Sequence, residues 1–585
     1  MEKKMFRSLI PSMIFMYIAS MISILVDGII IGKYLGVNAM ASYGLTNPIL
    51  LALLAVSDVF TGGVQNVCAE EMGKGNKERA GNIFSASCVT VVVISVVVAV
   101  AMNIGIDPLC RMLGASGDGA VLFDGLKGYI RGLSFMIPAM QLSLLFVFIQ
   151  QLEGNKLTTV VAVVVMTTSN IVLDFLNVLV FKQGMFGMAI ATAVSYYLAF
   201  FILLTGNLKK SSIFRFNFRN MDFSAMKNVF WIGGAGAVER GCYAVRAVVY
   251  NKMLVFAAGS VAVGNMAVAA LSVYATLNNF FGSFVFGIES ATLMVAGVLY
   301  GEENKNGLKR LMRESVKMIL VMISVVTVAV ILAAPFMASL FAEGVEVRQM
   351  SSDCVRIICI SMTVAGINGV MKKFLQATRN VMWMNIYSVC EIVVFPLLSA
   401  LLLGISFGVN GVFSCYMVSE LLMLIIFVTG VWIKRKHFPD KAENYLFLPK
   451  DFDTIPENLY EKMVCDMDGI KELSRHTVDF CRNHGANERQ VTALSLSVKE
   501  MAGNIIRYGV MKGKKLNVEY RLIYKNGEFI LRLRDDGKSS GQKEWLERLK
   551  AEDSQIHRKI CKIKDMVKDF KYVNSVNMNC LIIKV

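Results

Sequence analysis

Apolar residues run in stretches of twenty or more along the first three quarters of the chain, and about twenty is what an α-helix needs to cross the hydrocarbon core of a bilayer. Twelve spans are predicted, at roughly 8–32, 44–68, 84–106, 128–151, 157–181, 186–206, 229–258, 263–299, 315–341, 352–374, 381–404 and 408–433. The polar segments at one side hold most of the Lys and Arg: MEKK at the start, then GKGNKERA, LKKSSIFRFNFR, GEENKNGLKR, KKFLQATR and IKRKHF. The positive-inside rule predicts that this side is cytoplasmic, with both termini.

The pattern changes after Trp432. From about Asn444 the chain is charged and mixes both periodicities. TALSLSVKEMAGNIIRYGV has apolar residues at helical spacing, with Glu500 and Asn504 at i and i+4. LNVEYRLIYKNGEFILRLRDDG reads as two strands around the hairpin signal Lys525-Asn526-Gly527, and NCLIIKV as a last strand.

Composition agrees with a membrane protein: 585 residues, 55% hydrophobic, 9 prolines and a mean hydropathy of +0.55. The net charge of +16 is spread over short loops, so it reads as topology and argues against a nucleic-acid surface. MEKKMFRSLI has the basic start of a signal peptide, but a full-length span follows without an obvious cleavage site; a retained helix is expected. The 12 cysteines include no paired C-x-x-C and are expected as free thiols. His437, His476, His484 and His557 all fall outside the spans, so carboxylates must do any proton work in the membrane. No Walker A motif is present.

The two halves of the apolar region echo one another. MGKGNKERAGNIFSAS pairs with YGEENKNGLKRLMRES, YIRGLSF with CVRIICI, FIQQLEGN with FLQATRN, and GMFGMAIATAVS with GVNGVFSCYMVS, in order and offset by about 225 residues. Six spans followed by six in one orientation predict lobes related by an axis along the membrane normal, a transporter architecture.

One stretch within a span, TSNIVLDFLN, puts Asn170 and Asp174 at i and i+4 on one helix face. Asp174 precedes the turn near Gln183 by about nine residues and Thr192 follows it by about nine, so they reach similar depth, roughly 13 Å from the boundary. Asp27 lies at a comparable depth in the first span. Asn and Thr alone serve as ordinary helix-to-helix hydrogen bonders, whereas intramembrane carboxylates are costly and usually functional. Two carboxylates with neutral oxygens suit a small cation or a proton. Asp58, Glu239, Arg240, Arg246, Glu289 and Glu420 also lie inside spans, Glu239 being a secondary candidate for an ion or a cationic substrate.

These residues resemble a known family. SILVDGIIIGKYLGVNAMASYGLTNP around Asp27, the MGKGNKERA loop, and NIVLD followed by GMFGMAIAT are similar to motifs of the multidrug and toxic compound extrusion (MATE) transporters, over about residues 5–435. The resemblance implies an all-α membrane fold of two six-helix lobes around a cleft, and export of organic, often cationic, compounds driven by inward Na+ or H+. It also implies that Asp27, Asn170, Asp174 and Thr192 form the cation or proton site. The tail, in the order Glu-Asn helix, hairpin, Asp-x-Gly, helix, strand, resembles the histidine-kinase-like ATPase fold in its anti-sigma-factor kinase form, an α/β sandwich. That resemblance implies ATP and Mg2+, with Glu500 catalytic and Asn504, Asp535 and Gly537 in nucleotide binding. Two departures weaken it: Tyr508 stands where the family has His, and the Gly-x-Gly loop is replaced near residues 556–565. Without those glycines the backbone cannot approach phosphates closely, and a module that keeps only the fold is the alternative.

The domains expected are thus an N-terminal lobe at 1–207, a linker at 208–228, a C-terminal lobe at 229–438 and a cytosolic tail at 439–585. The function expected is a cation-coupled exporter of small organic compounds whose regulatory tail could meet a cytosolic partner protein. The competing readings are a membrane-bound sensor or anti-sigma-type serine/threonine kinase, and a lipid-linked precursor flippase.

Overall fold

The first helical half holds α1 (Glu2–Ile30), α2 (Val37–Leu45), α3 (Asn47–Gly73), α4 (Lys77–Ile104), α5 (Ile106–Met112), α6 (Ala120–Leu152), α7 (Lys156–Leu176) and α8 (Gly184–Asn207). The second holds α9 (Met226–Ala257), α10 (Val261–Gly301), α11 (Lys305–Met318), α12 (Ser324–Phe341), α13 (Val345–Cys359), α14 (Met362–Ala377), α15 (Val381–Val389) and α16 (Phe395–Arg435). This computed structural model describes residues 1–113, 120–209, 212–341, 344–436, 442–449, 452, 458–511, 513, 516–537 and 554–585. His437 and the boundary expected at 438–439 lie outside the described residues. Val97, Ile104, Leu179, Val328 and Leu332 are among many large apolar side chains exposed on the helices. In lipid that placement is favourable, because the solvent is itself hydrocarbon and the helices satisfy their own backbones.

Among the described residues, nine helical runs are long and apolar enough to cross a membrane, or ten if α13 and α14, bent by 45°, form one span. The sequence pattern predicts twelve. Part of the difference lies in α9, where Glu239, Arg240, Arg246, Lys252 and four glycines dilute the apolar content. The rest lies in the expected spans 381–404 and 408–433, which run on as one 54-residue stretch, Val381–Lys434. Within it Gly408 departs from helical geometry (φ 61°, ψ −141°), a conformation glycine adopts without a Cβ clash.

The halves meet where α3 packs on α9 and α10, and α1 on α10. Small residues allow the approach: a Cβ on Gly233 would lie 1.8 Å from the Val59 carbonyl oxygen, on Gly301 2.0 Å from that of Glu70, and on Gly73 2.1 Å from that of Val298. Burial is graded along these helices. Phe60 to Gly73 of α3 are buried apart from Gly62, and so is α10 from Ala291 to Leu299, whereas the opposite ends expose residues repeatedly. The halves therefore seal at the end that bears the tail.

The tail contains α17 (Met467–Asn483), α18 (Glu488–Ser497), α19 (Gly503–Met511) and α20 (Ser554–Met566) with strands β1 (Leu459–Val464), β2 (Val518–Lys525), β3 (Glu528–Asp535), β4 (Asp569–Ser575) and β5 (Met578–Lys584). The strands form one antiparallel sheet in the order β1-β2-β3-β5-β4. Asn526 (φ 53°) and Gly527 (φ 79°) make the β2–β3 turn, as their types predict. One sheet face carries Val518, Tyr520, Leu522, Leu531, Leu533 and Ile583, which share a core with Ile470, Leu473, Leu494 and Val498 of the helices. The opposite face contributes Val573, Val576 and Met578 to the core of the helical region.

Candidate ion site and the buried charge network

Four predicted residues come together in the first half. Asn170 is 1% exposed and Asp174 is fully buried on α7; Asp27 of α1 is buried, and Thr192 of α8 is half-buried. The Asn170 amide donates to Asp174 Oδ2 (3.3 Å) and to Thr192 Oγ1 (3.4 Å). The carboxyls of Asp27 and Asp174 lie within hydrogen-bond reach of one another. Among the described residues no donor reaches the buried Asp27 Oδ1 and Asp174 Oδ1, an arrangement that normally demands a partner.

The turn between α7 and α8 sets this alignment. A single π-helical turn, Asn177–Phe181, follows Asp174, and Lys182 closes it in the left-handed region (φ 52°). Asn177 Nδ2 then donates to the Gly184 carbonyl (3.0 Å), and its Oδ1 accepts from the Gln183 amide (3.2 Å). Thr192 is thereby fixed opposite Asn170. Ser23, not among the residues expected here, donates its hydroxyl to Asn170 Oδ1. Its signal was present: Ser23 and Asp27 are i and i+4, the spacing of Asn170 and Asp174.

Glu239 is not an open site. Lys372 Nζ lies 2.7 Å from Glu239 Oε1 and 2.8 Å from Glu391 Oε2, and Lys373 Nζ lies 3.1 Å from Glu239 Oε2. Lys372 is 2% exposed. Both lysines belong to α14, so the expectation that KKFLQATR is a basic loop fails for them. The helix runs on to Ala377, and each ammonium is paired with a carboxylate inside the second half. Nor does Arg240 neutralise Glu239; it donates to Asp58 of α3. Glu420 accepts from the Asn368 amide (2.7 Å), and Arg246 lies over the rings of Tyr243 and Tyr416, 4.8 and 5.0 Å from their centroids.

In the tail, Glu500 is buried and accepts from Lys559 of α20 (2.9 Å). Asn504 is half-buried one turn later. Asp535 ends β3, where its Oδ1 accepts from the Gly537 amide (2.8 Å) and from Asn579 (2.9 Å). Burial pushes its carboxyl up to about 6, against the opposing effect of those two donors. Among the described residues no hydrogen bond or ion pair joins Glu500 or Asn504 to Asp535 or Gly537.

The donor set of the first-half site is two carboxylates, an amide and a hydroxyl. Among the described residues no cluster of three or more His, Cys, Asp or Glu could hold a metal ion, and no disulfide joins any of the cysteines. Hard oxygen donors of this kind suit an alkali cation or a proton over a transition metal.

The chain has relatives among known proteins. It is 22% identical to the multidrug export protein MepA of Staphylococcus haemolyticus over 453 residues, 75% of this chain and 96% of that protein. With MepA of Staphylococcus saprophyticus the identity is 20% over 453 residues, 76% of this chain and 97% of that protein. Among solved structures, the outward-facing conformation of a multidrug resistance MATE family transporter of the MOP superfamily matches with a TM-score of 0.69 at 20% identity. It covers 74% of this chain and 96% of its own. The Vibrio cholerae MATE transporter VcmN matches with a TM-score of 0.68 at 19% identity, over 74% of this chain and 97% of its own. These similarities show the fold. The MatE family model matches residues 11–176 and 247–402, one stretch in each half and together more than half of the chain. The chain is a multi-pass membrane protein that belongs to the MatE family.

Proposed function

We propose that the protein is a secondary exporter of small organic compounds, coupled by alternating access of its two lobes to inward movement of Na+ or H+ at Asp27 and Asp174. The observation that carries the coupling is the pair of buried, donorless carboxylate oxygens, Asp27 Oδ1 and Asp174 Oδ1, on helices of one lobe. Two carboxylates in contact repel unless a proton or cation lies between them, so taking one up changes the energy of bringing α1 against α7. Asn170, held by Ser23, keeps the Asp174 carboxylate aimed at Asp27, and the Thr192 hydroxyl adds a neutral oxygen. In this reading there are twelve crossings, the loops rich in Lys and Arg are cytoplasmic, and both termini lie there with them. The tail is a regulatory module in which Lys559 occupies the carboxylate that catalysis would need free. That contact speaks against the kinase alternative, and the similarity to multidrug export proteins favours export over the flippase alternative.

The test is efflux of a fluorescent organic cation from proteoliposomes with imposed sodium or pH gradients. Asp174→Asn is isosteric and removes one carboxylate. Gradient-driven efflux is expected to fall to background, and unchanged efflux would rule out coupling at this site.

A further inference from the structure

The second face of the tail sheet carries charges that make sense only against the helical region. Arg521 of β2 and Arg532 of β3 stand directly opposite each other in the ladder, and like charges at such a position are destabilising. Each turns instead to helix-end carbonyls, which have no donor left for them inside their own helices. Arg521 donates to the Glu302 and Glu303 carbonyls just past α10 (2.9 and 2.8 Å), and Arg532 donates to the Gly73 carbonyl at the end of α3 (2.7 Å). One arginine therefore caps a helix of the second half and its neighbour caps a helix of the first. The capped ends belong to the repeat-related segments from Met72 and Tyr300. Next to them Arg534, 5% exposed, is paired with Glu302 and lies 3.2 Å from Glu519.

A third attachment returns to the first half. The β4–β5 turn places Val576 and Asn577 at φ 51° and 60°, an outlying conformation for a β-branched residue. Val576 is fully buried, and its amide donates to the Leu152 carbonyl at the end of α6 (2.7 Å).

We propose that the tail is an intramolecular clamp, a sheet face whose partner is the sealed end of both helical halves and which must let go before the cleft can open at that end. Pulling α3 from α10 would take these acceptors away from either Arg532 or the Arg521 and Arg534 pair. The proposal rests on the alternating-access reading for its functional consequence, but its test reads geometry alone, so loss of ion coupling would leave the result untouched.

The experiment uses the full chain in lipid nanodiscs, with Cys465 and Cys561 replaced by Ser and spin labels at Glu78→Cys and Arg313→Cys, both exposed at the clamped end. The interspin distance is expected to be single and short in this parent. In Arg521→Ala/Arg534→Ala a longer population is expected to rise by roughly ten-fold or more, since two arginines and their charge-assisted contacts to Glu302 and Glu303 are lost. The milder Arg532→Gln, which keeps both of those, is expected to move it in the same direction by less. Hydrogen exchange at the Val576 amide reports whether the tail has undocked. An unchanged distance in a variant whose Val576 amide has lost protection would overturn the clamp. An unchanged distance with protection intact in both variants would overturn the role given to the arginines.

Discussion

Replacing Lys372 by Met tests how the second half tolerates its buried charges. The ammonium is 2% exposed and bridges Glu239 (2.7 Å) and Glu391 (2.8 Å). Lys372→Met leaves Glu239 with Lys373 alone and takes from Glu391, 3% exposed, the ammonium that neutralises it. Breaking one partner out of a buried pair costs about 3–5 kcal/mol, mostly as the penalty of the orphaned charge. Lys372→Met/Glu391→Met removes both members and keeps the volume, which by the same principle brings the loss to within about 1 kcal/mol of the parent. A chain this long loses on the order of 1–2 °C per kcal/mol, fewer than a small domain. The assay is thermal unfolding in detergent followed by intrinsic tryptophan fluorescence. The single variant is expected to melt on the order of 5 °C below the parent and the double within about 2 °C of it. A double variant as unstable as the single would refute the reasoning, because the cost would then lie in packing around the lysine stem.

Two adjacent glycines give a second measurement: Gly233→Ala puts a Cβ on the Val59 carbonyl whereas Gly234→Ala meets nothing within 4 Å. The first is expected to cost about 1–3 kcal/mol by overpacking and the second to be neutral or mildly stabilising through helix propensity, both read as melting temperature. In the tail, the Asp535 carboxyl rises from 3.8 to about 6 on folding, so the folded state holds a proton the unfolded chain has lost. Its stabilising contribution is complete below 3.8 and disappears as pH rises through about 6. Asp535→Asn, which keeps the acceptor for Gly537 and Asn579, is expected to abolish that slope and stabilise β3 at pH 7 by up to about 3 kcal/mol. Hydrogen exchange of β3 amides across roughly pH 4–7 checks it.

The first-half site was legible because its geometry is local: Asn170 and Asp174 sit one turn apart, and a short connection fixes Thr192 relative to them. Lys372 escaped because a Lys-Lys pair followed by Arg379 looks like a loop. A second signal lay beneath it. Asn368, Lys372 and Gln376 recur every four residues, and all are 2% exposed or less, the same polar stripe that marks α7. What the pattern could not supply was the partner. Glu239 lies 133 positions before Lys372, Glu391 sits on the next helical run after it, and only packing brings the three within 3 Å. In the tail the strands and their hairpin turn were legible, but the cover of the second sheet face was not, because it too comes from distant segments: Glu519, Arg521 and Ile523 are buried just as Val518, Tyr520 and Leu522 are.

That doubly covered sheet has a consequence for handling the protein. Gly73, Leu152 and Glu302 all precede the tail in the chain, so the second sheet face receives its cover from segments synthesised earlier. Cut away from them, the tail would present Ile523, Val576, Met578 and Ile582 beside arginines deprived of their helix-end carbonyls as one naked patch, the kind of surface that drives proteins to stick to one another. Biochemistry on an excised tail would thus sample a sticky fragment, and its solubility should be restored by attaching the helical region and not by changing the buffer.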